Sequence, residues 1–119
     1  MLIGELVKKS GLSKSTIRHY EDMGLLHHSL RQAGSKTYRE YDESTLKRIE
    51  IIENGKKMGF SLKEGKHIVD ALMSESLSKA DRVLILQEKV QDIEVKIAAL
   101  KSVKSQIESK IVNIEAEEN

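Results

Sequence analysis

One pattern restricts the architecture of this chain more than any other. From residue 83 to 114 a single seam of positions recurs in alternating steps of three and four. Val83, Leu86, Val90, Ile93, Ile97, Leu100, Ile107, Ile111 and Ile114 occupy it, and Lys104 is its one polar member. Such steps average 3.5 residues, the a/d heptad that draws an apolar line along one side of a helix. Starting near Asp81, about 35 residues at ~1.5 Å each predict a helix of ~50 Å. A helix that long cannot bury its seam within a chain of 119 residues. It needs a partner, and a second copy is the simplest one. The heptads alone do not set whether the two helices run parallel or antiparallel.

Composition then removes whole classes of function. There is no cysteine, so disulfides, zinc-thiolate sites and thiol nucleophiles are all excluded. No apolar run approaches the ~18 residues of a membrane span, and Met1-Leu2-Ile3-Gly4-Glu5 lacks the basic start of a signal peptide. A cytoplasmic protein without membrane contact is expected. No glycine-rich phosphate loop, nucleophile motif or convincing carboxylate pair is present, so the chain does not read as an enzyme. His19, His27, His28 and His67 lack the i, i+4 pairing of a helical metal site, and a surface or DNA-facing role suits them better. No metal and no cofactor is expected. Charge is uneven: residues 1–67 hold 13 lysines and arginines against 9 acids, whereas 68–119 hold 7 against 10. A basic front beside an acidic helix suits a module that offers one face to phosphate.

All four aromatics lie between residues 20 and 60, and Ser74, Ser76 and Ser78 cluster as in a loop. This places a domain over 1–75 and a linker plus long helix over 76–119. Within the first part, Ile3, Leu6 and Val7 mark a short helix broken at Ser10-Gly11-Leu12. Ser13 caps the next, which runs to about Met23 with Ile17 inward and Tyr20 partly so. Lys14, Ser15, Arg18 and His19 are left outward. Two short helices joined by a tight glycine turn form a helix-turn-helix, whose second helix is the candidate for the major groove. Segments around Leu30-Arg31 and Thr37-Tyr38-Arg39 flank Gln32–Lys36, predicting a hairpin turning at Gly34 and carrying Arg31, Lys36 and Arg39. Tyr41 is expected to cover the core. Asp42 caps a helix over about 43–58, with Leu46, Ile49 and Ile52 on its apolar side and Lys56 and Lys57 in its last turn. Ser61 and Glu64 form a capping box for a fourth helix, on which Gly65 has only close packing as an explanation.

These residues resemble a known family. Ile3-Gly4-Glu5-Leu6-Val7, Gly11-Leu12-Ser13, Thr16-Ile17-Arg18-His19-Tyr20-Glu21 and Gly24-Leu25-Leu26 look like the opening signature of MerR regulators. The likeness continues through Arg31, Gly34, Tyr38-Arg39-Glu40-Tyr41-Asp42 and Met58 to Glu64, covering roughly residues 3–72. It implies a mainly α chain: a winged helix-turn-helix with a small hairpin wing, a second helix pair, and a long carboxy-terminal dimerisation helix forming an antiparallel coiled coil. It implies a homodimer on a pseudo-palindromic operator in double-stranded DNA, within a promoter also used by RNA polymerase, acting by bending and untwisting. By position, Thr16 and Arg18 become base contacts with Lys14, Ser15 and His19 beside them. Tyr20, Arg31, Tyr38 and Arg39 hold backbone around the wing, and Lys56 is a further phosphate contact.

The departures are specific. His19 stands where the family has tyrosine or phenylalanine, and His27-His28 replace a proline. Metal-responsive members of this size use cysteines at both ends of the long helix; here those segments are Ser78-Lys79-Ala80-Asp81 and Glu115-Ala116-Glu117-Glu118-Asn119. No thiolate is available for a soft metal, and there is no length for the added domain of drug-binding members. Two other readings stand beside the regulator. One is an architectural or excisionase-like adaptor whose coiled coil recruits another protein. The other is a pure coiled-coil interaction protein that binds no DNA.

Overall fold

The computed structural model describes residues 1–118. The chain divides into two compact units between Leu77 and Ser78. The first contains α1 (Ile3–Ser10), α2 (Lys14–Asp22), β1 (Ser29–Ala33), β2 (Lys36–Glu40), α3 (Ser44–Lys57) and α4 (Leu62–Met73). The second is one helix, α5 (Lys79–Glu115). The expected class is therefore observed: mainly helical, one antiparallel hairpin, a second helix pair and a long last helix.

Local chemistry sets each boundary. α1 stops where Gly11 takes φ +75° and donates its N–H to the Val7 carbonyl at 3.0 Å. A Cβ is disfavoured in that left-handed conformation, which is why glycine ends the helix. Ser13 Oγ accepts the Thr16 N–H at 3.1 Å and starts α2. α3 begins at Ser44, with Asp42 Oδ1 accepting the Ser44 N–H at 2.9 Å, a bond that also lowers the Asp42 pKa. Capping boxes open both later helices: Ser61 with Glu64, and Ser78 with Asp81. The second box escaped the sequence reading because aspartate fills the acidic position.

The hairpin turn is tighter than the segment Gln32–Lys36 suggested. The strands run on to pair Ala33 with Lys36, leaving only Gly34-Ser35 between them, with Gly34 at φ +65°. Glycine first in a two-residue loop is the type II′ pattern, whose twist matches that of paired strands. Leu2 bridges to Glu40, and the Tyr41 N–H donates to the Met1 carbonyl at 2.6 Å, so the first residues extend the hairpin's inner edge.

The core gathers one or two side chains from every helix of the first unit: Leu6, Ile17 and Tyr20, Ile49 and Ile52, and Val69. Leu25 and Leu26 after α2, and Tyr41 after β2, complete it. Tyr41 thus covers the core as expected. Arg48 ties three segments together, donating Nε to the Leu25 carbonyl at 2.8 Å and a terminal nitrogen to Asp70 Oδ1 at 2.6 Å. That ion pair lowers the Asp70 pKa.

Close packing does not explain Gly65. A Cβ built there meets nothing within 4 Å. Gly65→Ala is therefore expected to stabilise the chain by about 0.5–1 kcal/mol, by removing backbone freedom from the unfolded state. The denaturant midpoint checks this, and a lower midpoint would refute it.

Candidate nucleic-acid interface

α2 sorts its residues cleanly. Ile17 and Tyr20 are buried, while Lys14, Ser15, Arg18 and His19 are exposed. At about 100° per residue those four fall in an arc of roughly 140°. Two cations, a hydroxyl and an imidazole share one side of a short, capped helix. These are groups able to reach base edges and phosphates. Thr16 differs from its neighbours. It is half-buried, and its hydroxyl lies 2.8 Å from Ser13 Oγ within the cap.

Tyr20 corrects the sequence reading. It was expected to hold DNA backbone, but it is 1% exposed. Its hydroxyl donates to Glu53 Oε1 at 2.5 Å and accepts from Lys56 Nζ at 2.9 Å. The ammonium also stands 5.5 Å from the Tyr20 ring centroid, a cation–π distance. Burial raises the phenol pKa, with the bond to Glu53 adding to it. The bond from Lys56 to Tyr20 raises the lysine pKa in turn. Tyr20 is thus a positioning residue: it fixes an exposed ammonium at the end of α3.

The wing divides its predicted contacts between two faces. Arg31 pairs with Tyr38 and Ala33 with Lys36, so Arg31, Lys36 and Tyr38 share one face. Arg39 pairs with Leu30 on the other. There it donates to Glu21 Oε2 at 3.2 Å. His28 Nδ1 lies 2.8 Å from the same oxygen, and the Tyr41 hydroxyl donates to Oε1. The Glu21 side chain is only 8% exposed. One carboxylate from α2 therefore gathers the segment leading into β1, the end of β2 and the residue after it. The hairpin is set relative to α2 by this node.

Glu21, Glu53 and Arg48 were missed as organising residues. For Glu21 a signal existed: Ile17, Tyr20 and Glu21 stand at i, i+3, i+4 and so share the inward side of α2. Arg48 sits likewise among Thr45, Ile49 and Ile52. Glu53 carries no such mark, because its partner Tyr20 is 33 residues away.

The node makes stability depend on alkaline pH. Burial first, then the bond to Glu21, push the Tyr41 phenol up to about 12 from an ordinary 10.0. The folded chain holds that proton more tightly than the unfolded chain. The resulting stabilisation is complete below pH 10 and is lost as pH rises through 12. The expected loss over that window is about 2 kcal/mol from Tyr41. Tyr41→Phe should remove this share of the dependence; an unchanged slope of stability against pH would refute the assignment.

The profile described as MerR HTH family regulatory protein matches residues 1–72. The chain belongs to the MerR family. A second MerR profile, described as MerR, DNA binding, matches residues 46–110. The HTH-type transcriptional regulator ZntR of Escherichia coli (strain K12) is 32% identical over 107 residues, 89% of this chain and 74% of that protein. The mercuric resistance operon regulatory protein of Bacillus cereus is 34% identical over 101 residues, 85% of this chain and 75% of its own. Among solved structures, PbrR691 from Ralstonia metallidurans CH34, in complex with lead(II), superposes with a TM-score of 0.78 at 26% identity, covering 92% of this chain and 84% of that one. The amino-terminal part of MtaN, the Bacillus subtilis multidrug transporter activator, gives 0.74 at 25%, covering 93% and 97%. This MerR chain is a DNA-binding transcriptional regulator and not an enzyme. A soft-metal thiolate site does not fit it. It has no cysteine, Ser78 and Asp81 at the start of α5 are engaged in capping, and among the described residues no three potential ligands gather around a metal position.

Proposed function

We propose that two copies of the chain bind a pseudo-palindromic operator within a promoter, in the cytoplasm. They regulate transcription by bending and untwisting the DNA that RNA polymerase must read. The observation that carries this reading is the α2 face of Lys14, Ser15, Arg18 and His19, set by Glu21 against a wing that shows Arg31, Lys36 and Tyr38 together. Lys56, held by Tyr20, adds a phosphate contact. Dimerisation through α5 is supported by its seam, whose apolar members run from 41% exposed at Ile93 to 69% at Leu100 in a single copy. Among the described residues no helix is long and apolar enough to cross a membrane. Family membership favours the regulator over the adaptor.

The test is capture of fragmented genomic DNA by the purified protein across a salt series. A few strongly retained sites with inverted repeats inside overlong promoter spacers are expected. Weak, dispersed and steeply salt-sensitive retention would refute sequence-specific regulation. Within the operator, Arg18→Ala is expected to cost about 1–3 kcal/mol of specific binding, the range of one good base contact. Equal loss on random duplex would reassign Arg18 to phosphate.

A further inference from the structure

The DNA reading uses the cations of the α2 face and leaves out the acid that stands among them. Asp22, the last residue of α2, is exposed. At about 100° per residue it falls inside the outward arc, between Arg18 and Ser15. The buried side of Ile17, Tyr20 and Glu21 lies opposite. Among the described residues the Asp22 carboxylate has no hydrogen bond and no ion pair. Arg18 stands one turn before it. The Lys66 ammonium lies over Gly24 just after it, 2.9 Å from where a Cβ on that glycine would be. Neither cation closes on Asp22 to ion-pair distance. We propose that Asp22 is a specificity-determining residue, whose carboxylate accepts a hydrogen bond from the N4 amino group of one cytosine in each half of the operator. This rests on the DNA-binding reading and adds the base that one position of the site requires.

An acid at this place is unfavourable on other counts. Aspartate is a poor helix former, and its charge opposes the dipole at the carboxy end of a helix. It also repels the phosphates that Lys14 and Arg18 attract. α2 has nine residues, about 13 Å of helix, and the major groove is ~12 Å wide. A helix that seats Lys14 and Arg18 there brings Asp22 to the DNA with them.

On the DNA a carboxylate has few partners, because it can only accept. Phosphates offer it no donor. In the major groove only two groups donate, the N4 amino group of cytosine and the N6 amino group of adenine. Adenine sets the acceptor N7 beside its amino group, and a carboxylate is repelled there. Cytosine carries a C–H on that side instead. Thymine presents the acceptor O4 where cytosine has its amino group, so it is rejected outright. A lone carboxylate therefore selects cytosine. Arg18, four residues earlier on the same ridge, suits the guanine acceptors O6 and N7. The two opposite charges read complementary base edges, and Asp22 adds selectivity while lowering general affinity.

The purified full chain is used to select from a duplex library randomised over about three helical turns. Wild type, Asp22→Ala and Asp22→Asn are compared. The wild type should enrich one cytosine per half-site that Asp22→Ala no longer enriches, with the other selected positions kept. Asp22→Asn should move that position to adenine, since an amide both accepts from N6 and donates to N7. Equal in size to aspartate, it keeps the test readable should Asp22→Ala unfold. Changing the selected cytosine to thymine should cost the wild type about tenfold in affinity and Asp22→Ala no more than about twofold. Binding of Asp22→Ala to random duplex should rise. One selected sequence shared by all three proteins overturns the proposal, because Asp22 is then a solvated charge that only weakens phosphate binding. A wild type that enriches no sequence at all defeats the sequence-specific regulator reading itself, and the cytosine contact with it.

Discussion

Ile97→Glu is expected to leave the chain monomeric and to reduce operator affinity at least about a hundredfold, because bivalent binding becomes monovalent. In a single copy the Ile97 side chain is 47% exposed, at the middle of a seam with nothing over it. Covering the exposed half of it with a second helix removes apolar surface worth about 1 kcal/mol in each copy, roughly half the value of burying a whole isoleucine side chain. Glutamate forfeits that gain and adds a carboxylate that must leave water without a partner. The residue occurs once in each copy near the middle of the seam, so a dimer through α5 carries both losses. The helix itself should persist, since glutamate is a good helix former and the Ser78–Asp81 box is untouched. Sedimentation mass reads the first effect, and binding to a whole operator against an isolated half-site reads the second. Half-site affinity should hold while the advantage of the whole operator disappears. An unchanged mass would reject the seam as the dimer contact.

What could be read from the chain in advance divides along a physical line. Periodicity is local, so α5 was legible from its seam, and its observed start at Lys79 differs from the reading by two residues. Caps are local too, which is why Ser13, Ser61 and the glycine stop at Gly11 were visible. The hairpin was legible but its turn was drawn too wide. Gly34-Ser35 alone suffices once Ala33 and Lys36 are allowed to pair. That register also decides which face each side chain occupies, and so Arg39 was grouped with Arg31 when the ladder separates them. What stayed hidden is polar and long-range. Tyr20 reads as an amphipathic surface tyrosine until its hydroxyl is seen between Glu53 and Lys56. Glu21 reads as a solvated acid until three segments close on it. A hydrogen bond between residues tens of positions apart leaves no period in the sequence, and composition cannot mark it.

The largest effect expected within the DNA-binding unit itself follows from that hidden node. Glu21→Ala should destabilise the first unit by about 3 kcal/mol, because it strips the acceptor from a buried phenol and from two nitrogen donors at once. Tyr41 is 1% exposed and cannot turn its hydroxyl to water, whereas Arg39 and His28 can reach solvent. Most of the cost therefore falls on Tyr41. The functional consequence is separable from the energetic one. At a temperature where the variant stays folded, the wing no longer has its tie to α2, and the spacing between the α2 face and the Arg31–Tyr38 face is no longer fixed. Specific binding requires both at once on a rigid target and should fall about tenfold or more. Binding to random duplex follows net charge near the phosphates and should hold or rise, since an acid has gone and Arg39 is released. Glu21→Gln keeps an acceptor for Tyr41 without the charge for Arg39, and should fall between the two in both measurements. If operator and random duplex affinities move together across this series, Glu21 serves stability alone, and the wing must be oriented by the Met1–Tyr41 pairing at its inner edge instead.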